Sequence, residues 1–210
     1  MNRIFKWFFP EKPNAKATNG PGKVGPPPPS PFGGSPPAPP MAPPSAGALP
    51  EDELARRIEA HSKWLDSGGR EGVKADLKGA PLRFSNLFMA RLERADLSCA
   101  DLRNANVQWA NLSGADLSGA NLADADLFQS NFSGSNLHSI SAKGASFFMA
   151  DLQGTNLGDA DLRGADMKGS KLQGADLRGA DFTDAQMEGA EMGDIPPSDE
   201  KAQPPSEEKA

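Results

Sequence analysis

The stretch Ala95-Asp96-Leu97-Ser98-Cys99-Ala100-Asp101-Leu102-Arg103-Asn104 holds two copies of one five-residue pattern, and that pattern continues in register from Ala75 to about Asp194. Leu77, Leu82, Leu87, Leu92, Leu97 and Leu102 open a series that runs to Met187 and Met192, each with a small or aliphatic residue two positions before it. Twenty-four centres at a fixed short spacing, sixteen of them Leu, mean a stacked solenoid and not an ordinary globular core. A step of five suits neither an amphipathic helix, which needs steps of three and four, nor a half-buried strand, which needs steps of two. A short extended piece followed by a corner does suit it. Numbering each centre i, residues i−2 and i then point inward together, while i−1, i+1 and i+2 face water.

Ala95-Asp96-Leu97, Ala115-Asp116-Leu117, Ala125-Asp126-Leu127, Ala165-Asp166-Met167 and Ala175-Asp176-Leu177 make this region resemble the pentapeptide-repeat family, whose pattern is A(D/N)LXX. The resemblance implies an all-β solenoid, a right-handed quadrilateral β-helix in which four pentapeptides make one coil. Twenty-four repeats then predict about six coils, and a rod on the order of 29 Å long at roughly 4.8 Å per coil. If a turn takes twenty residues, outward side chains twenty apart fall into columns. Phe88, Phe128 and Phe148 share a column at i+1, and Met89, Trp109 and Met149 share one at i+2 of the same face. Phe84 lies on the adjoining edge. At Ile140-Ser141-Ala142 the large and small inward residues are exchanged, which predicts local repacking with a bend or bulge.

Composition divides the remainder. Residues 10–50 contain fifteen Pro and six Gly and read as an extended, disordered linker. Residues 195–210 read as a disordered acidic tail. A capping segment occupies 51–69 and the repeats 70–194. The cap is a helix over Glu51 to Ser67, with Pro50 at its start, acidic residues in its first turn and Gly68-Gly69 at its end. Its apolar face is Leu54, Ile58, His61 and Leu65, with Trp64 alongside. A solenoid's first coil exposes an unpaired edge, and a helix just before it is placed to cover that edge. His61-Ser62-Lys63-Trp64-Leu65 with the following glycines also looks like the leader of many bacterial pentapeptide-repeat proteins, and His61 reads as a packed, hydrogen-bonded cap residue.

The first nine residues are basic and aromatic, too short in their apolar part to span a bilayer and without a small-residue cleavage site. They fit a shallow interfacial anchor: Phe5, Trp7, Phe8 and Phe9 enter the headgroup region while Arg3 and Lys6 meet anionic lipid. The alternatives are a disordered start or a hydrophobic peptide docking on protein. Two His and one Cys in unrelated contexts suggest no nucleophile and base, and no phosphate loop, zinc spacing or dinucleotide fingerprint occurs. No catalytic residue, metal ligand or cofactor is therefore assigned. The lone Cys99 cannot make an internal disulfide, which points to a reducing compartment, the cytoplasm, with a peripheral position on the inner membrane face for the anchored form.

Two functions remain. Some members of the family that this chain resembles act as duplex DNA mimics on gyrase, and that resemblance supplies one of them. From Glu71 to Asp194 there are eighteen acidic and eleven basic residues, and the column Asp76, Asp96, Asp116, Asn136, Asn156, Asp176 is answered by Arg83, Arg103, Lys143 and Arg163 on the next face. Duplex DNA of the same length carries about seventeen charges, so this surface is sparse and mixed for a mimic, and its sign disfavours binding nucleic acid itself. The leading expectation is a noncatalytic scaffold presenting Phe88, Met89, Trp109, Phe128, Phe148 and Met149 to a protein partner or to another copy. The chain's own amino-terminal segment or polyproline linker is the other candidate to lie on that stripe. A homodimer through the carboxy-terminal coil, where no second cap is visible, is also expected.

Overall fold

A computed structural model describes residues 49–193. The amino-terminal anchor, nearly all of the linker and the acidic tail 195–210 lie outside the described residues. The first element is helix α1, Glu51–Asp66, and repeats follow from Ala75. Pro50, with φ −54° and ψ 136°, sets the entry, and Glu51, Asp52 and Glu53 place negative charge against the positive end of the helix dipole. The helix ends at Asp66, one residue short of the expected Ser67. Ser67 caps it, its N–H donating to Lys63 O and its hydroxyl to Trp64 O and Glu71 O. Leu54 and His61 are buried, whereas Ile58, Trp64 and Leu65 are half-buried.

The repeat region has no long strands. Each pentapeptide contributes one bridge residue at i−1, paired in parallel with the residue twenty positions on: Asp76 with Asp96, Pro81 with Asp101, Asn86 with Asn106, Arg91 with Asn111, and so to Lys171 with Glu191. A twenty-residue pairing interval fed by a five-residue repeat gives four ladders. Within one rung Leu77 N–H donates to Asp96 O at 2.7 Å, and Asp96 N–H donates back to Ala75 O at 3.1 Å. The corner closes when Ala80 N–H donates to Leu77 O at 3.0 Å. Every i+2 residue from Gly79 to Gly189 sits in the left-handed region, with φ between 50° and 75°, which is why glycine recurs there.

The inward pattern holds along the rod, with only Ser85 and Ala175 half-buried before Met187. Leu97, Leu117, Phe132, Phe147 and Met167 are 0% exposed, and the Ala or Ser two positions before each is buried as well. At the far end the core opens, with Met187, Ala190 and Met192 only partly buried. The bend or bulge expected at Ile140-Ser141-Ala142 is absent. Ser141 bridges both Asn121 and Asp161 in register, and Ile140 and Ala142 are both buried. Exchanging a large and a small residue between the two inward positions conserves volume, so the ladder has nothing to relieve.

The turn after α1 brings the helix onto the first repeats. Gly72 passes so close that a Cβ there would stand 2.2 Å from Ala60 O, and Val73 N–H donates to that carbonyl. Arg57 Nη1 donates to Asp76 O and Leu49 N–H to Pro81 O, both at 3.0 Å.

Candidate interaction face

A pentapeptide spends its side chains in two ways, and one unexpected detail separates them. All seventeen Asp and Asn residues at i−1 accept the N–H of i+1 on Oδ1, as Asp116 does from Ser118 at 3.0 Å and Asn131 from Ser133 at 2.9 Å. These are Asx-type turns. The D/N of the repeat is a corner-forming acceptor, a role that sequence reasoning had passed over. Several of these carboxylates are also paired: Arg103 grips Asp101 through Nε at 2.7 Å and Nη2 at 2.5 Å, and Arg163 and Arg178 grip Asp161 and Asp176 in the same fork. The fork with Arg178 holds the Asp176 carboxyl down to about 2, and those with Arg103 and Arg163 lower Asp101 and Asp161. The expected acidic column is thus largely engaged within its own turns.

The i+1 and i+2 positions of the face centred on Leu87, Val107, Leu127 and Phe147 behave differently. The structure gathers the six expected residues here. Trp109 meets Phe128 edge-on, with ring centroids 5.7 Å apart and planes at 79°. Phe128 stacks on Phe148 at 5.8 Å and 10°. Met89, Trp109 and Met149 are 57%, 50% and 49% exposed, while Phe88, Phe128 and Phe148 are half-buried beside them. Two polar residues complete the ladder and were not anticipated, although both lie in the same twenty-residue columns. Gln129 donates to Met149 Sδ at 3.7 Å, and Gln108 to Asp126 Oδ2 at 2.5 Å. The stripe stops where Lys168 and Glu188 replace the aromatics at i+1 and Gly169 and Gly189 occupy i+2.

The corners of this face share the left-handed backbone of all the other corners, and here they carry large side chains. Met89, Trp109, Gln129 and Met149 hold φ of 55°, 59°, 50° and 56°, a conformation costing a non-glycine residue roughly 1–2 kcal/mol. Large exposed side chains thus stand where glycine would be cheapest.

The other groups considered from sequence stay apart. His138 Nε2 is 4.0 Å from Asp159 Oδ2 and half-exposed, Cys99 is an exposed free thiol, and Phe84 lies under Arg83 at 5.6 Å on the adjoining edge. Among the described residues no cluster of His, Cys, Asp or Glu is placed to hold a metal, and no helix is long and apolar enough to cross a membrane. His61 is packed and hydrogen-bonded as expected. It is 0% exposed, accepts Ala75 N–H on Nδ1 at 3.0 Å and stacks on Trp64 at 5.5 Å.

Parallel pairing at a twenty-residue interval over a five-residue repeat defines a solenoid repeat protein. The pentapeptide repeats family matches residues 75–114, 108–141, 145–184 and 160–193, and the chain belongs to that family. No curated protein matches the chain. Among solved structures it is similar to a pentapeptide repeat protein of the Arabidopsis thaliana thylakoid lumen, at 33% identity over 43% of this chain and 63% of that one, TM-score 0.42. HetL, involved in heterocyst differentiation regulation in the cyanobacterium Nostoc, is 28% identical over 57% of this chain and 64% of its own, TM-score 0.33. QnrB1, a plasmid-mediated fluoroquinolone resistance protein, is 22% identical over 61% and 64%, TM-score 0.42, a likeness of fold alone. The chain thus spans less than two thirds of the length of each of these three.

Proposed function

We propose that this protein is a noncatalytic interaction module that presents the stripe Phe88, Met89, Trp109, Phe128, Phe148 and Met149 to a protein partner. The solenoid is read as six right-handed coils over 70–194, with 51–69 as the amino-terminal cap. The observation that supports the reading is the gathering of large apolar side chains on one face, with Met89, Trp109 and Met149 about half or more exposed at corners where glycine costs less. A Trp and two Phe in contact are also the residue types that anchor interfaces. The test is proximity labelling or pull-down with the wild type and a Trp109→Asp, Phe128→Asp double variant. Loss of the same partner with an unchanged circular dichroism spectrum supports the reading, and unchanged recovery ends it.

The alternative of an acidic DNA mimic acting on an enzyme such as gyrase is weakened by carboxylates committed to turns and Arg forks. Two further attachments follow from the ends of the chain. Partly buried Met187, Ala190 and Met192 support a homodimer through the last coil, readable by light scattering over a concentration series. The basic, aromatic residues 1–9 support tethering to an anionic membrane surface, which requires salt-sensitive vesicle sedimentation that is lost on deleting residues 1–10.

A further inference from the structure

We propose that His61 is an acid-operated latch holding α1 over the first coil, and that a second copy of this chain pairs with the edge that the open latch uncovers. This rests on the reading of α1 as a cap. Four main-chain groups on the outer edge of the first coil are satisfied from that side. Ala75 N–H donates to His61 Nδ1, Glu93 O accepts from His61 Nε2 at 3.1 Å, Asp76 O accepts from Arg57, and Pro81 O accepts from Leu49 N–H. One imidazole thus serves two of the four and joins residues eighteen apart on the coil. At Pro81 the ring nitrogen leaves no N–H to satisfy.

The hydrogen bonds define the tautomer. Ala75 N–H can only donate, so Nδ1 is the bare acceptor and Nε2 carries the proton given to Glu93 O. A second proton has to go on Nδ1, where it faces another N–H at 3.0 Å inside a site with no exposed surface. The protonated ring cannot keep both bonds. Every charged group around it bears on this step. Burial pushes His61 below the ordinary histidine range, and Lys74 and Arg91 push the same way, while the Glu93 carbonyl and carboxylate oppose them. Arg91 is itself held by Asp66 of α1 at 2.7 Å. Because the folded value lies below the unfolded 6.5, the latch is fully closed above 6.5 and loosens as pH falls from there toward the folded value, below which no further loss follows.

The edge beneath is suited to self-pairing. Asn86 N–H and C=O have no hydrogen-bond partner among the described residues, and Leu77, Leu82, Leu87 and Leu92 end the inner column directly below. A rung edge with free donors and acceptors at the repeat's own spacing is a template for the same rung of another copy.

The experiment is amide exchange and light scattering on the full chain between about pH 7.5 and 5. Protection of the Ala75 amide should fall by up to tenfold for each pH unit between 6.5 and the folded value and level off below it, while Leu117 stays protected, and scattering mass should rise reversibly over the same range. His61→Gln, which keeps an acceptor and a donor without titrating, should show neither response. Constant Ala75 protection, a fall shared equally by Leu117, or the same acid response in His61→Gln overturns the latch. Loss of Ala75 protection in a protein that stays monomeric overturns the second-copy edge. Should His61→Gln fail to fold, the wild-type comparison of Ala75 with Leu117 still decides. Deleting residues 51–67 tests the cap by itself: a stable monomer would remove the cap reading regardless of pH.

Discussion

The face that carries Trp109 and the face that carries Arg103 and Arg163 are cut from one backbone, yet they use their outward positions in opposite ways. On the second, Arg103 and Arg163 fold back onto the carboxylate two residues earlier, so each charge is answered within its own turn. On the first, Trp109 meets Phe128 and Phe128 stacks on Phe148, and half of Trp109 is left in water. Charge on a solenoid surface is thus a poor guide to recognition when local turns consume it. Exposed apolar side chains gathered on one face are the better guide.

The largest expected contrast lies between two neighbours on the stripe face. Leu127 points inward and is 0% exposed, while Phe128 points outward. Leu127→Asp puts an unpaired charge in the core at a cost of several kcal/mol, comparable to a total stability of roughly 5–15 kcal/mol, and should unfold the repeats. Phe128→Asp should leave the fold intact and lower partner affinity by at least tenfold, about 1.4 kcal/mol. Circular dichroism and a binding titration read the two outcomes. A folded Leu127→Asp would break the inward assignment, and an unfolded Phe128→Asp would show the stripe to be structural.

The backbone contrast is smaller. Met89 is 57% exposed with φ 55°, so Met89→Gly should stabilise the protein by about 1 kcal/mol in urea melts while weakening partner binding. Gly164→Ala on the Arg face, at φ 66° with nothing near its Cβ, should lose about the same amount and leave binding unchanged. Destabilisation by Met89→Gly would mean that the side chain contributes packing worth more than its strain.

Much of this was legible in the sequence. The five-residue step separates inward from outward positions by arithmetic, and the twenty-residue columns place the six stripe residues together before any coordinate is known. The remainder resides in quantities that residue type does not encode. Strain at Met89 and Trp109 is a dihedral angle, visible only once i+2 is known to be left-handed at every corner. Asp96 and Asn106 looked like solvated polar residues because Asx acceptance depends on where the i+1 N–H points. Ile140 suggested a bulge because a register shift and a volume exchange have the same letters, and packing chose the exchange. Gln108 and Gln129 share the stripe's columns but carry no apolar signal that would mark them as part of it.

The smallest effect tests whether the charged face is as locally spent as its geometry implies. Asp176 accepts Arg178 N–H at 3.2 Å and both guanidinium bonds of the Arg178 fork, and its carboxyl is lowered from 3.8 to about 2. A depressed folded value means that the unfolded chain binds the proton first as pH falls. The stabilisation is therefore complete above about 3.8 and fades as pH drops toward about 2. Arg178 is 76% exposed, so solvent screens the pair and it contributes little at neutral pH. Asp176→Asn keeps an oxygen for the turn and loses the fork, and its urea midpoint at pH 7 should move little, while its stability should fall less than that of the wild type between about pH 4 and 2. Asp176→Ala loses the turn acceptor too and should cost about 1 kcal/mol at every pH. If instead Asp176→Asn weakens partner binding while Trp109→Asp does not, the carboxylate column is the recognition surface, and the contrast between the two faces is reversed.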